Sequence, residues 1–284
     1  MVDAIGDGQG HEGDRAMELE HTTDQPQAMN DGLVAEGIVV RFGGLVAVDG
    51  VHLHAPRGRI TGLIGPNGAG KTTTFNVCCG FQQANEGRVT LDGRDLRHDS
   101  PSARAALGMG RTFQRMELFG GMTVRENVEL AAESRHITSG PLSQLGLTSG
   151  GKSRRAEAAQ TADVLLERTG LTDVADRLAG QISTGQGRLV ELARAMARDP
   201  HLLLLDEPSS GLDHSESQVF GQLLVGLVQE RNLAILMVEH DMSLVLGICD
   251  WIHVLDFGKP LMDGTPAEVR ASEAVRRAYL GEAA

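Results

Sequence analysis

The chain has one tryptophan, Trp251, and one tyrosine, Tyr279, among 284 residues. So few aromatics leave little with which to stack nucleic-acid bases. No basic stripe compensates for them. The one short basic cluster, Lys152-Ser153-Arg154-Arg155, reads as a solvated helix start. Nucleic acid is therefore not an expected partner. The formal net charge is −12, of which −7 lies in residues 1–31 and −5 on the remainder. Cysteine is scarce: Cys78, Cys79 and Cys249 have no metal-ligand spacing, and they read as reduced, buried residues of a cytosolic protein. No apolar run approaches the roughly 18 residues that a membrane-spanning helix needs. A charged, apolar and small-residue leader is also missing at the start. The expectation is a soluble protein that can still dock on a membrane partner.

Residues 1–31 combine Gly, Asp, Glu, Gln and His with almost no apolar periodicity. Such a segment cannot bury enough surface to offset its ordering entropy, and a disordered acidic tail is expected. From residue 32 the pattern changes. Gly37–Phe42 and Val51–His54 read as strands, broken by Gly43-Gly44 and closed by Pro56 and Gly58. Gly87–Gly93 is a further short strand ending in an Asp-Gly turn. The block of about residues 115–198 is mainly helical in pattern. Helices are expected over Val124–Ala132, about Arg154–Arg168 and Arg188–Arg198, with a loop over 138–151. Strand signals return at Leu202–Leu205, Leu233–Val238 and Trp251–Leu255, alternating with helical segments. That alternation predicts an α/β core with a mostly parallel sheet. There is no internal repeat.

The most informative stretch is Gly65-Pro66-Asn67-Gly68-Ala69-Gly70-Lys71-Thr72-Thr73. It has the spacing of Gly, four residues, Gly, Lys and Ser or Thr. A short apolar strand, Arg59–Ile64, precedes it, and a helix can continue through Cys79. Glycines there allow backbone N–H groups to turn inward around a phosphate. The helix N-terminus adds partial positive charge at the same place. Lys71 reaches the outer phosphates, and the Thr72 hydroxyl is a Mg²⁺ ligand of the right kind.

Leu202–Leu205 then runs into Asp206-Glu207-Pro208. An all-apolar strand belongs in the middle of a covered sheet, with its ligands at the C-terminal end. Asp206 is the candidate Mg²⁺ ligand. Glu207 is the candidate general base against the terminal phosphate. Ser183 is a candidate helix cap, and with Gly185 it forms a second possible anion site. His240 follows the apolar strand Leu233–Val238, where it can donate to a phosphate. Two short matches are rejected. Asp256-Phe257-Gly258 lacks the other kinase motifs. Gly108-Met109-Gly110 lacks the third glycine of a dinucleotide fingerprint.

The order Gly65–Thr72, Gln114, Ser183-Thr184-Gly185-Gln186, Leu202–Glu207, Ser210-Gly211-Leu212-Asp213 and His240 resembles that of the ATP-binding-cassette ATPases. The resemblance covers about residues 33–284. It implies a P-loop core with an antiparallel β subdomain and an inserted helical subdomain. It also implies ATP and Mg²⁺. Phe42 resembles the aromatic that stacks on adenine. Gln114 matches the glutamine that contacts Mg²⁺ and the attacking water. Ser183–Gln186 match the signature that acts on the ATP of a second subunit. Asp213 matches the loop joining the two sites, and His240 the switch histidine. Departures are small: Phe42 for tyrosine, Ile182 for leucine, Thr184 for glycine.

Arg41–Val48, Arg111–Gln114, Val238–Met242, Gly264-Thr265-Pro266 and Ala278–Ala283 narrow the likeness. They resemble ATPase subunits of branched-chain amino-acid importers, a group that also includes urea and short-amide importers. The expected partners are membrane permease subunits, a second ATPase subunit and, indirectly, a solute-binding protein. The expected place is the cytoplasmic face of the membrane. An export ATPase and a non-transport cassette ATPase are the alternatives. The latter usually carries coiled-coil insertions or tandem cassettes, which are missing here.

Overall fold

The structure is a computed structural model that describes residues 31–112, 116–136 and 151–280. Residues 1–30 of the expected acidic tail (1–31), residues 138–150 of the expected loop (138–151) and Gln114 lie outside the described residues, while residue 151 already belongs to a helix. Two sheets organise the rest. The first is antiparallel. It joins β1 (Leu33–Phe42), β2 (Leu45–Ala55), β4 (Glu86–Leu91) and β5 (Arg94–Asp95) in the order β2-β1-β4-β5. The second joins β3 (Ile60–Ile64), β6 (Met109–Arg111), β7 (Leu202–Asp206), β8 (Ala234–Val238), β9 (Trp251–Asp256) and β10 (Lys259–Gly264). Its order is β10-β9-β3-β8-β7-β6. Every pairing in it is parallel except β10 with β9. This is an α/β fold with a mostly parallel central sheet.

The central strands are apolar on both faces because both faces are covered. Alternate residues enter two separate cores. Leu203, Leu205, Ile235 and Met237 join one, and Leu202, Leu204, Leu236 and Val238 join the other. Helix α1 (Lys71–Cys79) belongs to the second core through Phe75, Val77 and Cys78. Its C-terminal carbonyls are satisfied from outside the helix. The buried Arg104, in α2 (Pro101–Ala106), donates to the oxygens of Val77 and Cys78 at 2.8 and 2.7 Å.

Among the described residues between β6 and β7 there are helices and turns but no strands. They include α3 (Val124–Glu133), α4 (Gly151–Arg168) and α5 (Thr184–Met196). Helix α5 begins four residues before the expected Arg188, because Ser183 caps it with a complete capping box. The first turn so gained carries two glycines, Gly185 and Gly187. Both are buried, where a side chain would collide with neighbours. After β7 come α6 (His214–Arg231) and, after β8, α7 (Met242–Ile248). The chain finishes with α8 (Pro266–Ala271) and α9 (Glu273–Leu280). Strand β1 starts at Leu33, four residues before the expected Gly37, through added pairing of Leu33–Glu36 with β4.

Candidate functional site

Strand β3 is wholly buried and delivers the chain to Gly65 at the C-terminal end of the sheet. Gly65 has φ 150°, and a Cβ there would lie 2.2 Å from the Leu255 carbonyl oxygen of β9. Gly70 has φ 92° and is the N-cap of α1, without a side-chain cap. A Cβ on Gly70 would lie 2.8 Å from the Ala47 oxygen. Only glycine fits both places, so the loop is drawn tight against β2 and β9. The Gly258 N–H fastens it by donating to the Ala69 oxygen at 3.2 Å. Lys71 is buried, and its Nζ donates to the Gly65 and Pro66 oxygens at 2.6 and 2.8 Å. The ammonium therefore arches over the loop that the glycines shape.

These residues line a groove of about 460 Å³. Its lining includes Asn67 through Thr73 (Asn67, Gly68, Ala69, Gly70, Lys71, Thr72 and Thr73), together with Glu207, Ala47 and Phe257. Phe42 is half exposed at the end of β1, where it pairs with Leu45, but it is not among the lining residues. Phe257 is among them and is 88% exposed, at φ 44° in the turn between β9 and β10. The sequence offered Phe257 only as part of a rejected motif. An aromatic before glycine, between two strand-like runs, was the available signal.

The carboxylates stand across the sheet. Asp206 ends β7 and is 4% exposed. Burial pushes its carboxyl above the usual range, with Arg111 opposing and Glu207 reinforcing that push. The Arg111 guanidinium lies 3.8 Å from Asp206 and 4.6 Å over the Phe81 ring. Glu207 follows at φ 48°, an uncommon backbone for a side chain this size. Its N–H donates to the Val238 oxygen at 2.9 Å, extending the β7–β8 ladder by one bond. His240 lies just past β8 and is exposed. The residue before it, Glu239, is fully buried, and sequence reasoning had met it only inside Val238–Met242, with no role of its own.

The signature residues assemble elsewhere. Ser183 Oγ accepts from the Gln186 N–H at 3.2 Å, and Gln186 Oε1 accepts from the Ser183 N–H at 3.1 Å. Ser183 and Thr184 are exposed, whereas Gly185 is buried against Glu216 of α6. A Cβ at Gly185 would lie 2.5 Å from Glu216 Oε1. Asp213 caps α6, accepting from the Glu216 N–H at 2.8 Å. Arg188 Nε donates to the Ser210 oxygen at 3.3 Å and pairs with Glu191 at 2.9 Å. Thus Ser183–Gln186 and Ser210–Asp213 form one neighbourhood, and none of these residues lines the loop groove.

A second groove, of about 380 Å³, opens beside β6. It is lined by Phe81, Arg111, Glu117, Glu191 and Arg194 among others. Arg194 stacks 5.1 Å over Phe119.

Residues 48–210 match the family model described as ABC transporter. Residues 259–284 match a second model, described as branched-chain amino acid ATP-binding cassette transporter. The chain is 43% identical over 251 residues to the high-affinity branched-chain amino acid transport ATP-binding protein BraF of Pseudomonas aeruginosa. That alignment covers 88% of this chain and 98% of BraF. It is 42% identical over 251 residues to LivG of Escherichia coli, which carries the same description, with the same coverage of 88% and 98%. Among solved structures, the ADP conformation of MJ1267, an ATP-binding cassette of an ABC transporter, superposes with a TM-score of 0.77 at 31% identity. That superposition spans 88% of this chain and 99% of MJ1267. With the loop groove, the paired carboxylates and these matches in hand, the chain belongs to the ABC transporter family.

Proposed function

We propose that this ABC ATPase powers the import of branched-chain amino acids through a membrane permease. One observation carries the choice of solute: 43% identity over 98% of BraF, a branched-chain amino acid transport ATP-binding protein. The match of residues 259–284 to the branched-chain model supports the same reading. Removing the gene and measuring uptake of labelled leucine, urea and acetamide by intact cells tests it. Loss of leucine uptake alone is expected. Loss of urea or amide uptake with leucine uptake intact would replace the solute, and no loss of uptake would favour export.

ATP is the substrate. The Gly65–Thr73 loop and Lys71 hold its phosphates, and Phe42 is assigned to the adenine. Among the described residues no three His, Cys, Asp or Glu side chains gather in one place. This fits Mg²⁺, which takes one or two carboxylates and completes its shell with phosphates and water. Asp206 and Thr72, with Gln114, would hold it, and once bound it would supply positive charge against that developing on the phosphates. Glu207 accepts the proton of the attacking water, and His240 donates to the γ-phosphate. Ser183, Thr184, Gly185 and Gln186 complete the ATP site of a second ATPase subunit, whether an identical or a related chain, and Asp213 links the two sites. A head-to-tail pair makes the arrangement reciprocal.

The groove beside Arg111 and Arg194 is the proposed seat of a short permease helix. The helical block between β6 and β7 acts as the subdomain around it. A solute-binding protein is the indirect partner on the far side of the membrane. No helix among the described residues is long and apolar enough to cross a membrane. The proposed place is peripheral, on the cytoplasmic face.

A further inference from the structure

Glu239 has no part in the reading so far, yet its side chain is fully buried. Burying a carboxyl is costly unless hydrogen bonds repay its lost hydration. Three backbone N–H groups do so here. Oε1 accepts from Ser209 at 2.8 Å. Oε2 accepts from His240 at 3.0 Å and from Asp241 at 3.3 Å. The two oxygens thus hold two different loops. One loop is Glu207-Pro208-Ser209, which follows β7. The other is His240-Asp241, which follows β8 and opens α7.

The place of the first bond matters. Glu207 sits at φ 48°, a strained backbone for a side chain of this size that persists only where its surroundings fix it. Two bonds flank it. Its own N–H donates to the Val238 oxygen, and two residues later the Ser209 N–H donates to Glu239. The main chain of β8 supplies one clamp, and the side chain of Glu239 supplies the other. With both in place, Glu207 lines the nucleotide groove.

We propose that Glu239 is a positioning residue for ATP hydrolysis: its carboxylate holds the Glu207 loop and the His240 loop in one fixed relation at the γ-phosphate end of the groove. The inference rests on the assignment of Glu207 as base. Glu239 touches neither substrate nor reacting atoms, and it acts through Glu207 and His240.

The test is Glu239→Gln in the full chain. The amide keeps the shape but replaces one acceptor oxygen by an NH₂. Either Ser209 or the His240-Asp241 pair then faces a donor. The expected result is a fall in kcat of about tenfold or more, because small misplacements of catalytic groups are costly. The affinity for ATP, measured by calorimetry, stays within about threefold, since the Gly65–Thr73 loop is untouched. A double variant separates positioning from general damage. In a Glu207→Gln background, Glu239→Gln should lower the residual hydrolysis no further, as residues acting as a unit are not additive. Glu239→Asp keeps the acid but withdraws it by one methylene, and it carries the same expectation should the glutamine variant fail to fold. Unchanged kcat in the folded variants overturns the proposal, as does an equal further loss in the Glu207→Gln background. If Glu239→Gln is silent while Glu207→Gln is inactive, this inference alone fails. Wild-type turnover in Glu207→Gln overturns the base assignment and this inference with it.

Discussion

Two helices of this molecule begin with the same need and meet it in opposite ways. Each has orphan N–H groups in its first turn. Helix α5 satisfies its own: Ser183 and Gln186 exchange hydrogen bonds in a closed capping box. Helix α1 has a glycine, Gly70, where its cap should be, and that residue has no side chain to accept from the first turn. The difference teaches where a ligand is needed for completion. The start of α1, shaped by glycines, leaves its first turn open to a group that brings its own acceptors, as the phosphates of the proposed ATP would. The start of α5 is finished within the chain, so any service to a second subunit's ATP has to reuse an exposed cap that already stands.

The comparison can be broken in order of expected effect. The largest belongs to the α1 side. Glu207→Gln should lower kcat by about 10²–10⁴-fold, the usual contribution of a general base. Calorimetric ATP binding should persist, and turnover near wild type would detach Glu207 from the chemistry. Next is Lys71→Ala. Losing a charged hydrogen-bond donor of roughly 1.5–3 kcal/mol should weaken ATP binding by about 10–100-fold. An unchanged Kd would remove the loop's ammonium from the binding site.

On the α5 side the effect should be smaller and differently distributed. Ser183→Ala removes an exposed cap worth about 1 kcal/mol and should lower Tm by roughly 2 °C. ATP binding by a single subunit should be intact while hydrolysis by the paired subunits falls. If single-subunit affinity dropped too, the two helix starts would not be separate sites.

The smallest effect concerns Asp206. Burial raises its pKa in the folded chain, so the folded state holds a proton more tightly than the unfolded one. Stability is then fully present below the ordinary carboxylate pKa and declines as pH rises through the raised value. Asp206→Asn should therefore raise the Tm of the ATP-free chain at neutral pH. The gain should vanish in acid, where aspartic acid and asparagine are both neutral. A gain independent of pH would assign it to packing instead.

Much of this was legible in sequence, and the limits have physical reasons. The loop, the Asp206-Glu207 strand end and the central strands announce themselves through local spacing and apolar runs. The start of α5 was misjudged because Gly185 and Gly187 have poor helix propensity, and only tertiary packing accounts for them there. The role proposed for Glu239 was not legible because it depends on Ser209, thirty residues away in the chain and adjacent only through the β7–β8 pairing. Phe257 was hidden by a local match to an unrelated motif, although its turn brings it to the loop groove. The Ser183–Gln186 neighbourhood is clear as a cap, while its proposed service to a second subunit lies outside one chain's geometry.

The two cores set the tempo of the molecule. Strands β7 and β8 send alternate side chains into both cores, so neither strand can loosen without disturbing the whole interior. Their amides should exchange with solvent only on the timescale of global unfolding. The exposed cap at Ser183 has no such anchorage and should exchange far sooner. The floor that carries Asp206 thus acts as a fixed reference frame for the loops at its edge.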